Sequence, residues 1–303
     1  MGSNSIKLLV AELRPLAAPR ILLEKSSGTR LGEGIHHHFR LSRPAMKRTL
    51  DEARTFKKEA KKLHAREWIA VATSAVRDAS NRREFEKQFR KRMGFSLRVL
   101  GGNEEAELIY RGATSDPKLA GPRSRILVMD SGGGSAEWIR GTRNRISHRV
   151  SLGLGCVRMT ERFIRGDPCT EESFRRMLAW YDKKLQSLRR NFTAKGCVMI
   201  GTGGSISTAA VLDLDHPTFH EHRVHGHTLT LRTLEALLEK LKSLTNAERV
   251  AWNGIPRKRA DIIVAGVALF VTAMRTLGAK KITASLRGLR YGVLMERMKS
   301  IRA

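Results

Sequence analysis

Three loops in this chain can bind an anion through backbone alone: Gly2-Ser3-Asn4-Ser5, Gly132-Gly133-Gly134-Ser135 and Gly201-Thr202-Gly203-Gly204-Ser205. Glycine permits positive φ, so successive amide N–H groups can face one concavity and hold phosphate oxygens. None of the three follows the Walker pattern, which needs a Lys directly after its last Gly. One such loop reads as an ordinary turn; three in one chain point to phosphate. Asp130 ends an apolar run just before the second loop, and Glu137 follows seven positions on, so a hairpin through the loop turns both carboxylates toward one cleft. Acids beside a phosphate cradle repel it unless a divalent cation lies between them, and hard oxygen ligands suit Mg²⁺. The alternative for Asp130 is a turn cap at a strand end. Glu104 and Glu105, after Gly101-Gly102, read by spacing alone as first-turn helix acids favoured by the dipole. Arg77, beside Asp78, is either one more surface arginine or a bidentate phosphate clamp.

Hydrophobic periodicity supplies the elements that would carry these residues. Residues 6–13 form an apolar run suited to a buried strand, entered straight from the first loop. Met46, Leu50, Ala53, Phe56, Ala60 and Leu63 recur every three or four positions among Lys and Arg, which predicts a helix with a basic outer face. Residues 68–73 read as a buried strand, 81–92 as a second basic helix, 95–100 as a strand and 104–110 as a helix. After Asp116-Pro117 and Gly121-Pro122 the pattern restarts with strands over 126–130 and 136–139 around the second loop. Helix 173–188, strand 197–200, helix 230–244, an all-round apolar helix 259–277, strand 281–284 and helix 288–298 follow. Each half opens on a strand and a Gly/Ser turn, so the halves look duplicated. His36, His37 and His38 read as a solvated loop, since adjacent side chains diverge.

The chain has 303 residues, 57 Lys or Arg against 29 Asp or Glu, a net charge of +28 and 41 % apolar content. That composition excludes disorder and predicts two domains, at about 100–200 residues each. So large a positive excess suits a polyanion: polyphosphate, nucleic acid or an acidic membrane. Cys156, Cys169 and Cys197 show no CxxC spacing, which predicts reduced cytoplasmic thiols and no zinc. The longest apolar run, 262–274, is shorter than the roughly 20 residues a bilayer span needs, so no membrane association is expected.

In order along the chain, Gly2-Ser3-Asn4-Ser5, Arg30-Leu31-Gly32-Glu33-Gly34, Ala72-Thr73-Ser74-Ala75-Val76-Arg77-Asp78-Ala79, Gly102-Asn103-Glu104-Glu105-Ala106, Asp130-Ser131-Gly132-Gly133-Gly134-Ser135-Ala136-Glu137, Gly201-Thr202-Gly203-Gly204, Arg259-Ala260-Asp261 and Gly288-Leu289-Arg290 make a broad pattern. It resembles the exopolyphosphatase/guanosine pentaphosphate phosphatase (Ppx/GppA) family of the actin-like superfamily, in a short form without the C-terminal helical domain of longer relatives. The resemblance implies an α/β fold of two actin-like (ribonuclease H-like) domains with an interdomain cleft, here 1–115 plus about 288–303, and 116–287. It implies Glu105 as the catalytic carboxylate that activates water. Asp130 and Glu137 would hold metal or position that water. Gly132, Gly133, Gly134 and Ser135 would bind the terminal phosphate, and Gly2, Ser3, Asn4 and Ser5 with Gly201, Thr202, Gly203, Gly204 and Ser205 the others, while Arg77 neutralises charge. The implied activity is Mg²⁺-dependent release of orthophosphate from polyphosphate, or the same chemistry on guanosine pentaphosphate. Nucleic acid is a less favoured partner, and a homodimer is compatible with the pattern.

Two departures from the family pattern bear on activity. The Asp that usually precedes Gly-Ser-Asn-Ser by two residues has no counterpart, since Met1 adjoins Gly2. The closing motif, commonly Ser-Asp-x-Gly-Leu-Arg-Glu-Gly, here reads Ser285-Leu286-Arg287-Gly288-Leu289-Arg290-Tyr291-Gly292, without its two acids. Fewer acids weaken cation affinity, which makes a catalytically weak binder of polyphosphate, alarmone or nucleic acid the third expectation. If an in-frame Asp is encoded upstream of Gly2, restoring it is expected to raise activity.

Overall fold

A computed structural model describes residues 1–14, 17–215, 220–252 and 255–302. In chain order its strands are β1 (Ile6–Glu12), β2 (Arg20–Ser27), β3 (Ala70–Ala72), β4 (Leu97–Val99), β5 (Arg125–Ser131), β6 (Ala136–Gly141), β7 (Ile146–Leu152), β8 (Cys197–Gly203), β9 (Thr228–Thr230) and β10 (Lys281–Ala284). The helices are α1 (Ile35–His38), α2 (Arg43–Lys62), α3 (Ser74–Arg77), α4 (Arg82–Met93), α5 (Gly102–Ala113), α6 (Cys156–Phe163), α7 (Glu171–Gln186), α8 (Arg189–Phe192), α9 (Gly204–Asp213), α10 (Glu221–Val224), α11 (Leu231–Ser243), α12 (Asn246–Ala251), α13 (Ile263–Leu277) and α14 (Leu289–Arg302).

One six-stranded sheet, in the order β7-β6-β5-β8-β10-β9, organises the C-terminal two thirds. β5, β8 and β10 run parallel, while β6, β7 and β9 pair antiparallel to their neighbours. Parallel strands are covered on both faces, which is why 126–129 is an unbroken apolar run. Alternation sorts that run into two cores. Leu127, Met129 and Trp138 face α13, α7 and α9. Ile126, Val128 and Ile139 face Ala106, Ile109 and Tyr110 of α5, on which α14 packs. Asp130 pairs with Glu137 in the β5/β6 register, and both carry the parity of the α5 face. This is a mixed α/β architecture, the class that the resemblance implies.

The N-terminal third has its own core, with Leu50 and Phe56 of α2 against Phe85 and Phe89 of α4 and Ile6 of β1. α2 starts where Ser42 accepts a hydrogen bond from the Ala45 N–H, with Pro44 in its first turn.

Several expectations need correction. The two halves differ in their sheets: the described residues before 116 form two two-stranded pairs, β1 with β2 and β3 with β4. Strand 68–73 shrinks to Ala70–Ala72, because Ile69 is exposed and Trp68 only half-buried. The apolar helix begins at Ile263; Arg257–Arg259 is a separate 3₁₀ turn that carries Arg259 away from the helix. His36 is drawn out of solvent, its Nδ1 2.7 Å from Glu161 of α6. β2, β7, β9, α6 and α9 have no counterpart in the periodicity reading; β7 exposes most of one side and is too polar to register as a strand.

Candidate active site

A cleft of about 810 Å³ opens where the first and second glycine loops, the end of β5, the start of α9 and the 256–259 turn converge. The first two loops touch. A Cβ on Gly134 would lie 2.5 Å from the Ser74 hydroxyl and 2.6 Å from that of Ser3, and one on Gly133 would lie 3.0 Å from the Asn4 N. Only glycine fits there. Gly132 N donates to the Ser135 carbonyl at 3.0 Å and closes the second loop. The Gly133, Gly134 and Ser135 amides have no acceptor among the described residues, so three N–H groups are free for an anion. The third loop takes a left-handed step at Gly203, φ 97°, and places the N-terminus of α9 at the cleft, with its dipole favouring negative charge.

Three carboxylates meet beneath the loops. Glu105 is buried on the first turn of α5, where Arg77 Nη1 donates to Oε2 at 2.8 Å and also to the Leu100 carbonyl at 2.9 Å. Burial pushes its carboxyl above the ordinary range, Arg77 opposes that, and the Asp130 charge adds to it. Asp130 accepts a short hydrogen bond from Thr202 Oγ1. Its carboxyl is also raised, by burial, against the pull of Thr202 and the Lys7 ammonium. Glu137 is fully buried: Ser151 Oγ donates to Oε1 at 2.7 Å, while Oε2 has no hydrogen-bond partner. Burial first, then the Glu105 and Asp130 charges, raise it well above the usual carboxylate range.

An orphaned buried oxygen and acids that repel one another fit a hard divalent cation. Among the described residues no three His, Cys, Asp or Glu side chains form a complete metal cage. Asp130, at the cleft wall, fits the Mg²⁺ manner of binding, in which one or two carboxylates leave the other positions to water and substrate oxygens, and the unpartnered oxygen of Glu137 beside it in the β5/β6 register is the second candidate carboxylate.

Not every residue read from the sequence reaches the cleft. Gly2 to Ser5, Glu105, Asp130, Gly132, Gly133, Ser135, Gly203 and Gly204 line it. Gly134 and Glu137 do not line it, Glu137 being fully buried behind Asp130, and Arg77 holds Glu105 instead of facing the open space. Gly201 packs under Ile282 and Ile206, and Thr202 reaches the site only through Asp130. Ser205 is buried, tight against Gly266. Conversely, Lys7, Glu24, Arg259 and Arg290 line the cleft although none was singled out as a site residue. Lys7 stands two residues beyond the first loop, and protein surroundings together with Arg290 and Arg259 lower its ammonium to about 8, against Asp130 and Glu24. Arg259 lies so close over Gly204 that any side chain there would overlap the guanidinium. The signal for Lys7 was a lone cation inside an apolar strand; Arg259 and Arg290 lay inside recognised motifs.

Paired strand acids, free loop amides and a cation-lined cleft are the features a site for anionic phosphates needs. Residues 9–301 match the model of the Ppx/GppA phosphatase family, and the chain belongs to that family. It is 27 % identical over 296 residues to a guanosine-5′-triphosphate,3′-diphosphate pyrophosphatase of Aeromonas hydrophila, covering 97 % of this chain and 57 % of that protein. It is 25 % identical over 307 residues to a bifunctional 3-dehydroquinate synthase/phosphatase of Fusobacterium nucleatum, covering 98 % and 45 %. The chain thus spans about half the length of these curated relatives. Among solved structures it is similar to an exopolyphosphatase from Cytophaga hutchinsonii, with a TM-score of 0.90, 29 % identity and coverage of 99 % and 96 %. The Aquifex aeolicus Ppx/GppA family member gives a TM-score of 0.83 at 27 % identity, covering 100 % and 97 %.

Proposed function

We propose that this protein is a divalent-cation-dependent exopolyphosphatase that releases orthophosphate from the end of inorganic polyphosphate in the cytoplasm. The lining of the cleft carries this reading. Six cations, Lys7, Lys25, Arg257, Lys258, Arg259 and Arg290, face it, and no aromatic ring does among the described residues. A site for a nucleobase offers a stacking face, whereas a bare phosphate chain needs charge and amides.

In this reading residues 1–115 with about 288–303, and 116–287, act as two lobes over the cleft. The free amides of Gly133, Gly134 and Ser135 hold the terminal phosphate, and Gly2 to Ser5 and the α9 N-terminus hold those behind it. Glu105 takes a proton from a water whose oxygen attacks the terminal phosphorus. The bond to the bridging oxygen breaks, and orthophosphate and a chain shorter by one phosphate leave. Arg77 keeps the Glu105 carboxylate aimed and ionised enough to act as a base. Asp130 and Glu137 would hold Mg²⁺, which when bound neutralises the charge gathering on the transferred group.

The names of the curated relatives favour a second reading, guanosine pentaphosphate as substrate for the same residues. Phosphate release from tripolyphosphate, long-chain polyphosphate and guanosine pentaphosphate, compared at equal enzyme, separates the two. Faster release from polyphosphate supports the first reading, and faster release from the nucleotide overturns it.

A further inference from the structure

The cleft accounts for only part of the positive charge. Arg54, Lys58, Lys61 and Lys62 of α2 and Arg90 and Lys91 of α4 are all exposed, and none has a carboxylate within ion-pair distance among the described residues. The same surface pairs cations where acids are at hand: Lys47 and Arg92 share Asp51, and Arg82 holds Glu86. The two helix ends adjoin, since Lys57 of α2 donates to the carbonyl of Met93, the last residue of α4. Helix dipoles favour cations in a final turn, which accounts for Lys61, Lys62, Arg90 and Lys91 as local structure. They do not account for Arg54 and Lys58, which sit further back, so the face is more basic than helix ends require. From Arg54 to Lys62 the row runs about 12 Å along the helix.

This face begins at the rim of the cleft. Lys25 lines the cleft and its Nζ lies 2.6 Å from Glu59 of α2, between Lys58 and Lys62 in sequence. Lys62, three residues on from Glu59, is its neighbour on the helix surface, so the row comes within one side chain of a residue that lines the cleft. Trp68 and Phe95 lie nearby, but they stack on each other at 5.9 Å, with Lys57 over both rings and Phe89 edge-on against Phe95. The aromatic faces are engaged within the fold, so what the surface offers outward is charge.

We infer that the α2/α4 face is a second binding site for inorganic polyphosphate, which holds the distal part of a long chain while its end occupies the cleft. The inference rests on polyphosphate as the substrate, and it makes affinity depend on chain length. A polymer with one negative charge on each bridging phosphate and no bases matches a row of cations without free rings. Single-stranded nucleic acid is the poorer match, because its affinity draws on base stacking as well as charge.

The test compares wild type with the quadruple variant K58E/K62E/R90E/K91E. Binding of long-chain polyphosphate and hydrolysis of tripolyphosphate are both measured across a salt series. Tripolyphosphate is too short to leave the cleft. The expected result is at least a tenfold loss of long-chain affinity at about 0.1 M salt, a shallower salt dependence, and unchanged tripolyphosphate hydrolysis. Equal long-chain affinity in the two proteins overturns the second site. So does an oligonucleotide of equal charge that binds wild type more tightly than polyphosphate and loses that binding in the variant. Wild type that binds long polyphosphate through this face but cleaves neither polyphosphate overturns the cleft reading and leaves the face standing.

Discussion

Replacing Glu137 by Gln should make the fold less sensitive to rising pH while disabling the protein. Glu137 is fully buried, one oxygen takes a 2.7 Å hydrogen bond from Ser151, and the other has no partner. Its pKa is raised well above 4.5 by burial and by the Glu105 and Asp130 charges. A raised folded-state pKa contributes stability that is fully present below the unfolded value and is lost as pH rises through the folded value. Wild type should therefore lose stability as pH climbs from about 4.5, at about 1.4 kcal/mol for each unit by which the folded pKa exceeds the unfolded one. Gln keeps an acceptor for Ser151 and has no charge to bury. Its amide NH₂ lacks a partner, a cost of about 1–3 kcal/mol that does not change with pH, so the balance moves toward the variant as rising pH makes the buried Glu137 charge more costly. Thermal melts of both proteins in EDTA from pH 5 to 9 provide the assay. The variant should melt at or below wild type near the acid end and gain on it as pH rises toward 9, and excess Mg²⁺ should raise the Tm of wild type alone. A Tm difference that stays constant from pH 5 to 9 would show that ionising Glu137 costs the fold nothing, and the raised pKa assigned to it would be wrong.

Other outcomes follow from the same geometry. Glu105→Gln should lower kcat by about 10²–10⁴-fold with polyphosphate affinity nearly intact, since it removes a base and no phosphate contact; equilibrium binding alongside single-turnover kinetics checks both halves. Arg77→Met removes the charge that holds Glu105 down, so its pKa climbs further and the acidic limb of the kcat profile moves to higher pH, an effect that Arg77→Lys should partly reverse. Gly204→Ala places a methyl group where the Arg259 guanidinium lies and pushes that flexible end aside, so KM should rise with little change in Tm, which steady-state kinetics beside a thermal melt checks.

The elements carrying the chemistry were legible because their signals are local. The apolar run into Asp130, the glycines after it and the alternation to Glu137 fix a hairpin with both acids on one side, and that is the observed register. Glu105 was different: by spacing it was a helix-turn acid, and only the motif pattern raised it above that. What gives it chemical interest is burial beside Arg77, two carboxylates and the sheet, which are long-range facts. The role first given to Arg77 illustrates the same limit, since nothing near it in sequence shows that Glu105, 28 positions on, takes its guanidinium. Glu24 was out of reach because β2 alternates too weakly to stand out, and its place beside Lys7 depends on hairpin register. Ser205 was assigned to the cradle by adjacency, but one step into α9 the helix turns its side chain inward.

The central claim is that Glu105, supported by Asp130 and Glu137, drives water onto the end of a polyphosphate chain. Phosphate release from long-chain polyphosphate by wild type and Glu105→Gln, each with Mg²⁺ and with EDTA, tests it most directly. The account predicts release by wild type with Mg²⁺ and almost none in the other three conditions. Release by Glu105→Gln at the wild-type rate would contradict it.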